Sequence, residues 1–164
     1  MLLSQGFAPV ARTDARILIL GSMPGVASLE ATQYYAFPRN AFWKIMGELF
    51  KAGTHLEYEQ RLIKLTNQHI ALWDVIASCQ RPGSLDSAIS RDGLTTNDFC
   101  GFLEKHPRIK HVYFNGQKAA TLFKKRVEPD LRRQFEYRTL PSTSPAYAAK
   151  SYAEKLQAWS VIKT

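Results

Sequence analysis

Four short apolar runs, at residues 16–20, 69–75, 111–115 and 135–140, constrain this chain most, because helix-like stretches separate them. Runs of that length suit buried strands. Strands alternating with helices specify a parallel sheet covered on both faces, a three-layer α/β/α domain with a four-stranded sheet. Expected helices lie at 38–49, 56–65, 96 to about 106, 117–127 and 146–162. Pro38 sits near the first turn of the earliest, and Phe42, Ile45, Met46 and Leu49 share one of its faces. Thr96 and Asn97 are caps for the stretch that follows them. In a parallel sheet the turns after all four strands emerge on one edge, where α/β domains bind ligands. That rim collects Gly21-Ser22, Asp74 and onward to Arg81-Pro82-Gly83-Ser84, Asn115-Gly116, and Pro141-Ser142-Thr143-Ser144-Pro145.

The 164 residues are read as one domain, 1–164, since the chain is short for two. It holds no apolar run near the roughly 20 residues that span a bilayer. Its N-terminus lacks the pattern of a signal peptide, so the cytoplasm is the expected location. Cys79 and Cys100 are too few and too far apart for a metal knuckle or an iron–sulfur cluster, and the four histidines lack ligand spacing. Neither a metal nor a cofactor is expected: the glycine-rich turn is neither a Walker loop nor GxGxxG. Net charge is +8, and residues 104–138 carry ten Lys/Arg against four Asp/Glu. A basic face suits a polyanion; it equally suits a solvated helix.

Residues 21–47 carry the chemistry. Gly21-Ser22-Met23-Pro24-Gly25 is either a backbone cradle for a carbonyl or anion, or a plain strand-to-helix turn. Tyr34, Tyr35 and Phe37 are core aromatics or a stacking surface for a base, worth roughly 1–3 kcal/mol. Asn40 is a helix-start amide or a catalytic one. Asn115 offers a donor and an acceptor side by side, matching a base edge, but it also reads as a turn residue before Gly116. The hydroxyls of Ser142, Thr143 and Ser144 suit phosphate binding or capping of the last helix. Asp74 and Asp86 are the carboxylates nearest the rim, but their separation is not set by sequence.

GSMPGVASLEATQYYAFPRNAFWKIMG resembles the first motif region of uracil-DNA glycosylases, closest to the hypoxanthine-DNA (deoxyinosine) glycosylase branch, with GSMPG and then YYAxPRNxFW. LWDVIASCQRPGSLDSAI, VYFNGQKAA and LPSTSPA follow in the same order, so the likeness covers about residues 16–148. It implies a monofunctional enzyme of base excision repair that extrudes a deaminated base from DNA and hydrolyses its N-glycosidic bond. Hypoxanthine is the main expected substrate and uracil a weaker one. The implied roles are Asn40 catalytic, Tyr35 stacking, and Asn115, Ser22, Met23 and Gly25 holding the base. Arg39, Arg81, Ser142, Thr143, Ser144 and Pro145 are the implied DNA contacts. Met23 stands where other branches carry a catalytic Asp or Asn, and a thioether cannot orient water. Rival readings are a non-catalytic DNA-binding domain of the same fold, a uracil-preferring mismatch-type enzyme and a small-molecule nucleoside hydrolase. The expected partner is damaged DNA, bound by a monomer without a membrane.

Overall fold

The computed structural model describes residues 3–90 and 93–163. In chain order the strands are β1 (Leu3–Gln5), β2 (Ile17–Gly21), β3 (Ile70–Asp74), β4 (Ile76–Gln80), β5 (Thr95–Thr96), β6 (His111–Asn115) and β7 (Glu136–Leu140). The helices are α1 (Val26–Ala31), α2 (Phe42–Phe50), α3 (Tyr58–Asn67), α4 (Phe99–Lys105), α5 (Gln117–Arg126) and α6 (Tyr152–Trp159). The main sheet is parallel throughout, ordered β3-β2-β6-β7.

Strand alternation divides the core into two layers. Leu18, Leu20, Val112 and Phe114 point to one face and pack with Phe99, Phe102 and Phe123 of α4 and α5. Ile17, Ile19, Leu72 and Tyr113 point to the other, against Phe42, Ile45 and Met46 of α2, Leu65 of α3 and Trp159 of α6. Burying each such side chain contributes about 1.5–3 kcal/mol, so the sheet is anchored from both sides.

Several boundaries differ from the sequence reading. The run 69–75 ends at Asp74, because Asn97 Nδ2 donates to the Asp74 carbonyl at 2.7 Å and the Asn97 N–H donates to the Val75 carbonyl at 3.0 Å. The chain then leaves the parallel sheet and enters a small antiparallel one, ordered β1-β4-β5. Thr95 and Thr96 are therefore strand, and Asp98 caps α4 by accepting from the Gly101 N–H at 3.0 Å. Helix α2 starts at Phe42, since Ala41 donates its N–H to the Thr143 carbonyl at 3.0 Å instead of turning helically from Pro38. The last helix starts at Tyr152, where Ser151 and Glu154 form a capping box. The 142–145 hydroxyls therefore cap no helix. No described helix is long and apolar enough to cross a membrane.

Candidate active site

At the carboxyl edge of the main sheet lies a cleft of about 670 Å³, and all four rim turns line it. Gly21–Gly25, Tyr35, Asn40, Asp74, Asp86, Asn115 and the 142–147 loop meet there. The arrangement follows from topology: parallel strands deliver their C-terminal residues to one place, and short turns keep them there.

The floor is polar and buried. Asp74 ends β3 with 3 % of its surface exposed, and its Oδ2 has no hydrogen-bond partner among the described residues. Tyr35 reaches the same spot from the other side, with its hydroxyl buried beside Asn115. Both crowd Gly21, where an added Cβ would stand 2.5 Å from Asp74 Oδ1 and 3.1 Å from the Tyr35 hydroxyl oxygen. Burial, then the neighbouring Asp86, raise Asp74 to about 7, and Arg81 opposes them. Burial and the Asp74 charge push the Tyr35 hydroxyl far above its ordinary range, so it stays protonated. The Tyr35 ring stacks on Phe42, with centroids 4.0 Å apart and planes 22° apart, and its backbone is held at φ +55°. Tyr34, by contrast, belongs to the core.

Asn40 sits at the mouth. Its Oδ1 accepts from the Phe42 N–H at 2.9 Å, which fixes which end of the carboxamide is oxygen. A carbonyl oxygen retains a second lone pair, so Oδ1 can also accept from a water in the cleft. Phe37, 45 % exposed, and Tyr147, 38 % exposed, flank the entrance. Arg39 is exposed beside Asn40.

Two expected DNA contacts, Thr143 and Arg81, are corrected by their burial. Asn115 is held by Thr143: Nδ2 donates to Oγ1 at 3.0 Å and Oδ1 accepts from the Thr143 N–H at 2.9 Å, which leaves a second N–H and a second lone pair on the amide. It clasps the 142–147 loop to β6 while lining the cleft. Thr143 is 1 % exposed and so is withdrawn from DNA. Met23 lines the cleft as expected, its side chain packed in the core cluster that also holds Trp73 and Cys79. Arg81, 5 % exposed, donates from Nη2 to the Pro24 carbonyl and from Nη1 to the Ser84 carbonyl at 3.4 Å. It braces the 21–25 turn from behind, together with the Ser22 Oγ–Asp86 Oδ1 bond of 2.5 Å. Arg81→Ala is expected to lower unfolding free energy in urea by about 3 kcal/mol, through lost buried hydrogen bonds. The salt dependence of DNA affinity should stay unchanged, whereas a phosphate contact would reduce its slope.

Ser22, Gly25, Ser142, Ser144 and Pro145 line the cleft, whereas Arg39 stands outside it. Ser142 Oγ accepts from the Ser144 N–H and Ser144 Oγ from the Ala146 N–H, both at 3.2 Å, leaving each hydroxyl proton to donate outward. Lys155, buried on α6, donates to the Ser144 carbonyl at 3.1 Å and holds the loop from below. Gly25 precedes α1 and packs against Ser84.

The family model of the uracil DNA glycosylase superfamily matches residues 8–163. The chain belongs to that superfamily. It is 38 % identical to a hypoxanthine DNA glycosylase of Methanosarcina acetivorans over 88 % of this chain and 89 % of the relative. It is 37 % identical to one of Methanosarcina barkeri over 87 % of each. A solution NMR structure from M. acetivorans, described as a candidate uracil DNA glycosylase, superposes with a TM-score of 0.80 at 32 % identity, covering 99 % of this chain and 98 % of the other.

One feature of this superfamily member departs from the charge-based expectation. Arg108 and Lys110 precede β6, Lys124–Arg126 close α5, and Arg132 and Arg133 precede β7. Those positions gather at the amino edge of the sheet, opposite the cleft, because α5 runs back from the rim. Among the described residues, no group of three or more His, Cys, Asp or Glu is placed to hold a metal ion.

Proposed function

We propose that this chain is a monofunctional DNA glycosylase of base excision repair that releases deaminated bases, chiefly hypoxanthine from deoxyinosine and more weakly uracil. The supporting relatives are named for hypoxanthine. The observation that carries the reading is one cleft holding Asn40 at its mouth and Tyr35 and Asp74 at its floor. The depth sorts the substrate: an extruded base goes to the buried floor, its sugar stays at the mouth, and its phosphates meet Arg39 and the Ser142 and Ser144 hydroxyls. Flipping costs a few kcal/mol, least at a mismatch.

As the C1′–N9 bond breaks, its electron pair passes to the purine and C1′ becomes cationic. Asn40 Oδ1 orients a water whose oxygen bonds to C1′; that water loses a proton to solvent, and the departing base gains one. An amide is no base, so the rate rests on orientation and on stabilising the leaving purine. The enzyme is taken to act as a monomer in the cytoplasm, a reducing compartment that the exposed free thiol of Cys100 fits. Single-turnover incubation with an inosine-containing duplex should yield alkali-labile abasic sites, with a slower reaction at uracil. Retention of DNA with every base still attached would instead identify a binding domain.

A further inference from the structure

The amino edge of the main sheet carries a basic face that the cleft chemistry does not use. Arg108 and Lys110 lie in the segment before β6, Lys124 and Lys125 in the last turn of α5, and Arg132 in the segment before β7. All five are exposed. Parallel strands start on one edge and α5 runs back to it from the rim, so the five converge on the end of the molecule opposite the cleft. None of them forms an ion pair with a described residue.

The backbone beneath these cations is fixed. The Lys110 N–H donates to the Arg16 carbonyl at 3.1 Å, and the Lys110 carbonyl accepts from the Glu136 N–H at 2.8 Å, which ties the starts of β2, β6 and β7 together. Arg133 bridges the segments before β6 and β7, donating from Nη1 to the Pro107 carbonyl at 2.6 Å and from Nη2 to the His106 carbonyl at 3.2 Å. A face held this way needs little ordering when a ligand arrives. Of the acids nearby, Glu136 is engaged with His111 at 2.9 Å. The cleft has the opposite character: Glu30, Asp74 and Asp86 line it, and no Lys or Arg does among the described residues.

We propose that the amino-edge face is a second binding surface for duplex DNA, which lets the enzyme hold one segment in the cleft while it captures another. Duplex DNA carries one negative charge per about 1.7 Å of its axis, and unpaired exposed cations neutralise such an array with release of counterions. The guanidinium forks of Arg108 and Arg132 suit phosphate oxygens in pairs. The choice of DNA over an acidic protein rests on the glycosylase reading: the polyanion met by the cleft is the one the opposite face is free to catch. The consequence is handover. The first segment is released with the second already bound, so added DNA speeds departure from the first.

The test counts duplexes per chain. Sedimentation of wild type with excess short inosine-containing duplex should show two duplexes per chain at about 50 mM salt and one at about 200 mM, because three phosphate contacts weaken about 40-fold over that range. The triple charge reversal Arg108→Glu, Lys124→Glu, Arg132→Glu should hold one duplex at both salts, with single-turnover base release at saturation matching wild type. Departure of wild type from a labelled duplex should quicken in proportion to unlabelled competitor, and departure of the triple variant should not. The three side chains are exposed and unpaired, so the variant keeps the fold. Should the reversal fail to fold, glutamine at the same positions takes its place.

Wild type holding a single duplex at low salt overturns the proposal, and so does a folded variant that still holds two. Competitor-independent departure of wild type overturns the handover. Polyglutamate or duplex RNA held by this face more tightly than duplex DNA overturns the choice of ligand. The two readings fail separately: a chain that holds two duplexes and releases no base loses the glycosylase function and keeps the second surface.

Discussion

Asn40→Ala is expected to slow single-turnover base release about 10²- to 10³-fold while DNA affinity changes less than threefold, because orientation of the attacking water is lost but phosphate contacts remain. The geometry behind this is the bond from the Phe42 N–H to Asn40 Oδ1 at 2.9 Å, which aims the carboxamide before substrate arrives. The tertiary bond from the Ala41 N–H to the Thr143 carbonyl ties that turn to the opposite wall of the cleft. Asn40→Asp keeps an oxygen that accepts from Phe42 and from water, so it should recover much of the lost rate. The check is alkali-labile cleavage of an inosine duplex, with affinity measured on the same duplex. Wild-type rates in Asn40→Ala would remove the residue from the reaction and leave leaving-group stabilisation to act alone. Loss of stability should be small, since Phe42 N–H lies at a helix start where water can replace the cap.

The parallel sheet was legible because apolar runs of five to seven residues repeat between helical stretches, and β6 occupies the expected 111–115. That Asn40 and Tyr35 meet at the rim was legible, because a Gly/Pro turn and an aromatic loop follow a buried strand. The break between β3 and β4 was not legible. Trp73, Asp74, Val75 and Ile76 run on without a glycine or proline, and the departure is imposed by Asn97, more than twenty residues away. The start of α6 was available in Ser151-x-x-Glu154, a local capping signal that outweighs the run beginning at Ala146. Asn115 shows the opposite limit. A strand-end carboxamide states its donors and acceptors but not their partners, and here Thr143 takes one of each. Asp74 carried one readable signal: an acid inside an otherwise apolar strand that ends at the ligand rim. Its depth, its orphaned oxygen and its proximity to Tyr35 exist only once the strands are stacked.

Gly21→Ala is expected to reduce base release about 100-fold, although the substitution adds a single methyl group. Conformation is no obstacle, because Gly21 is extended within β2 and needs no left-handed backbone. Space is the obstacle. The new Cβ would stand 2.5 Å from Asp74 Oδ1, closer than such atoms approach, and 3.1 Å from the Tyr35 hydroxyl oxygen. The neighbouring strand β3 fixes the backbone, pairing Gly21 with Asp74 in register. The side chains must therefore yield, and the Asp74 carboxyl swings off the floor. Overpacking of this kind costs about 1–3 kcal/mol, so the protein should still fold, with a lower melting temperature. If the floor reads the base, the loss should fall on hypoxanthine more than on unsubstituted purine, and phosphate-dominated DNA affinity should hardly move. Equal losses on both bases would place the damage in general misfolding, and undiminished excision of hypoxanthine would show that the base never descends as far as Gly21.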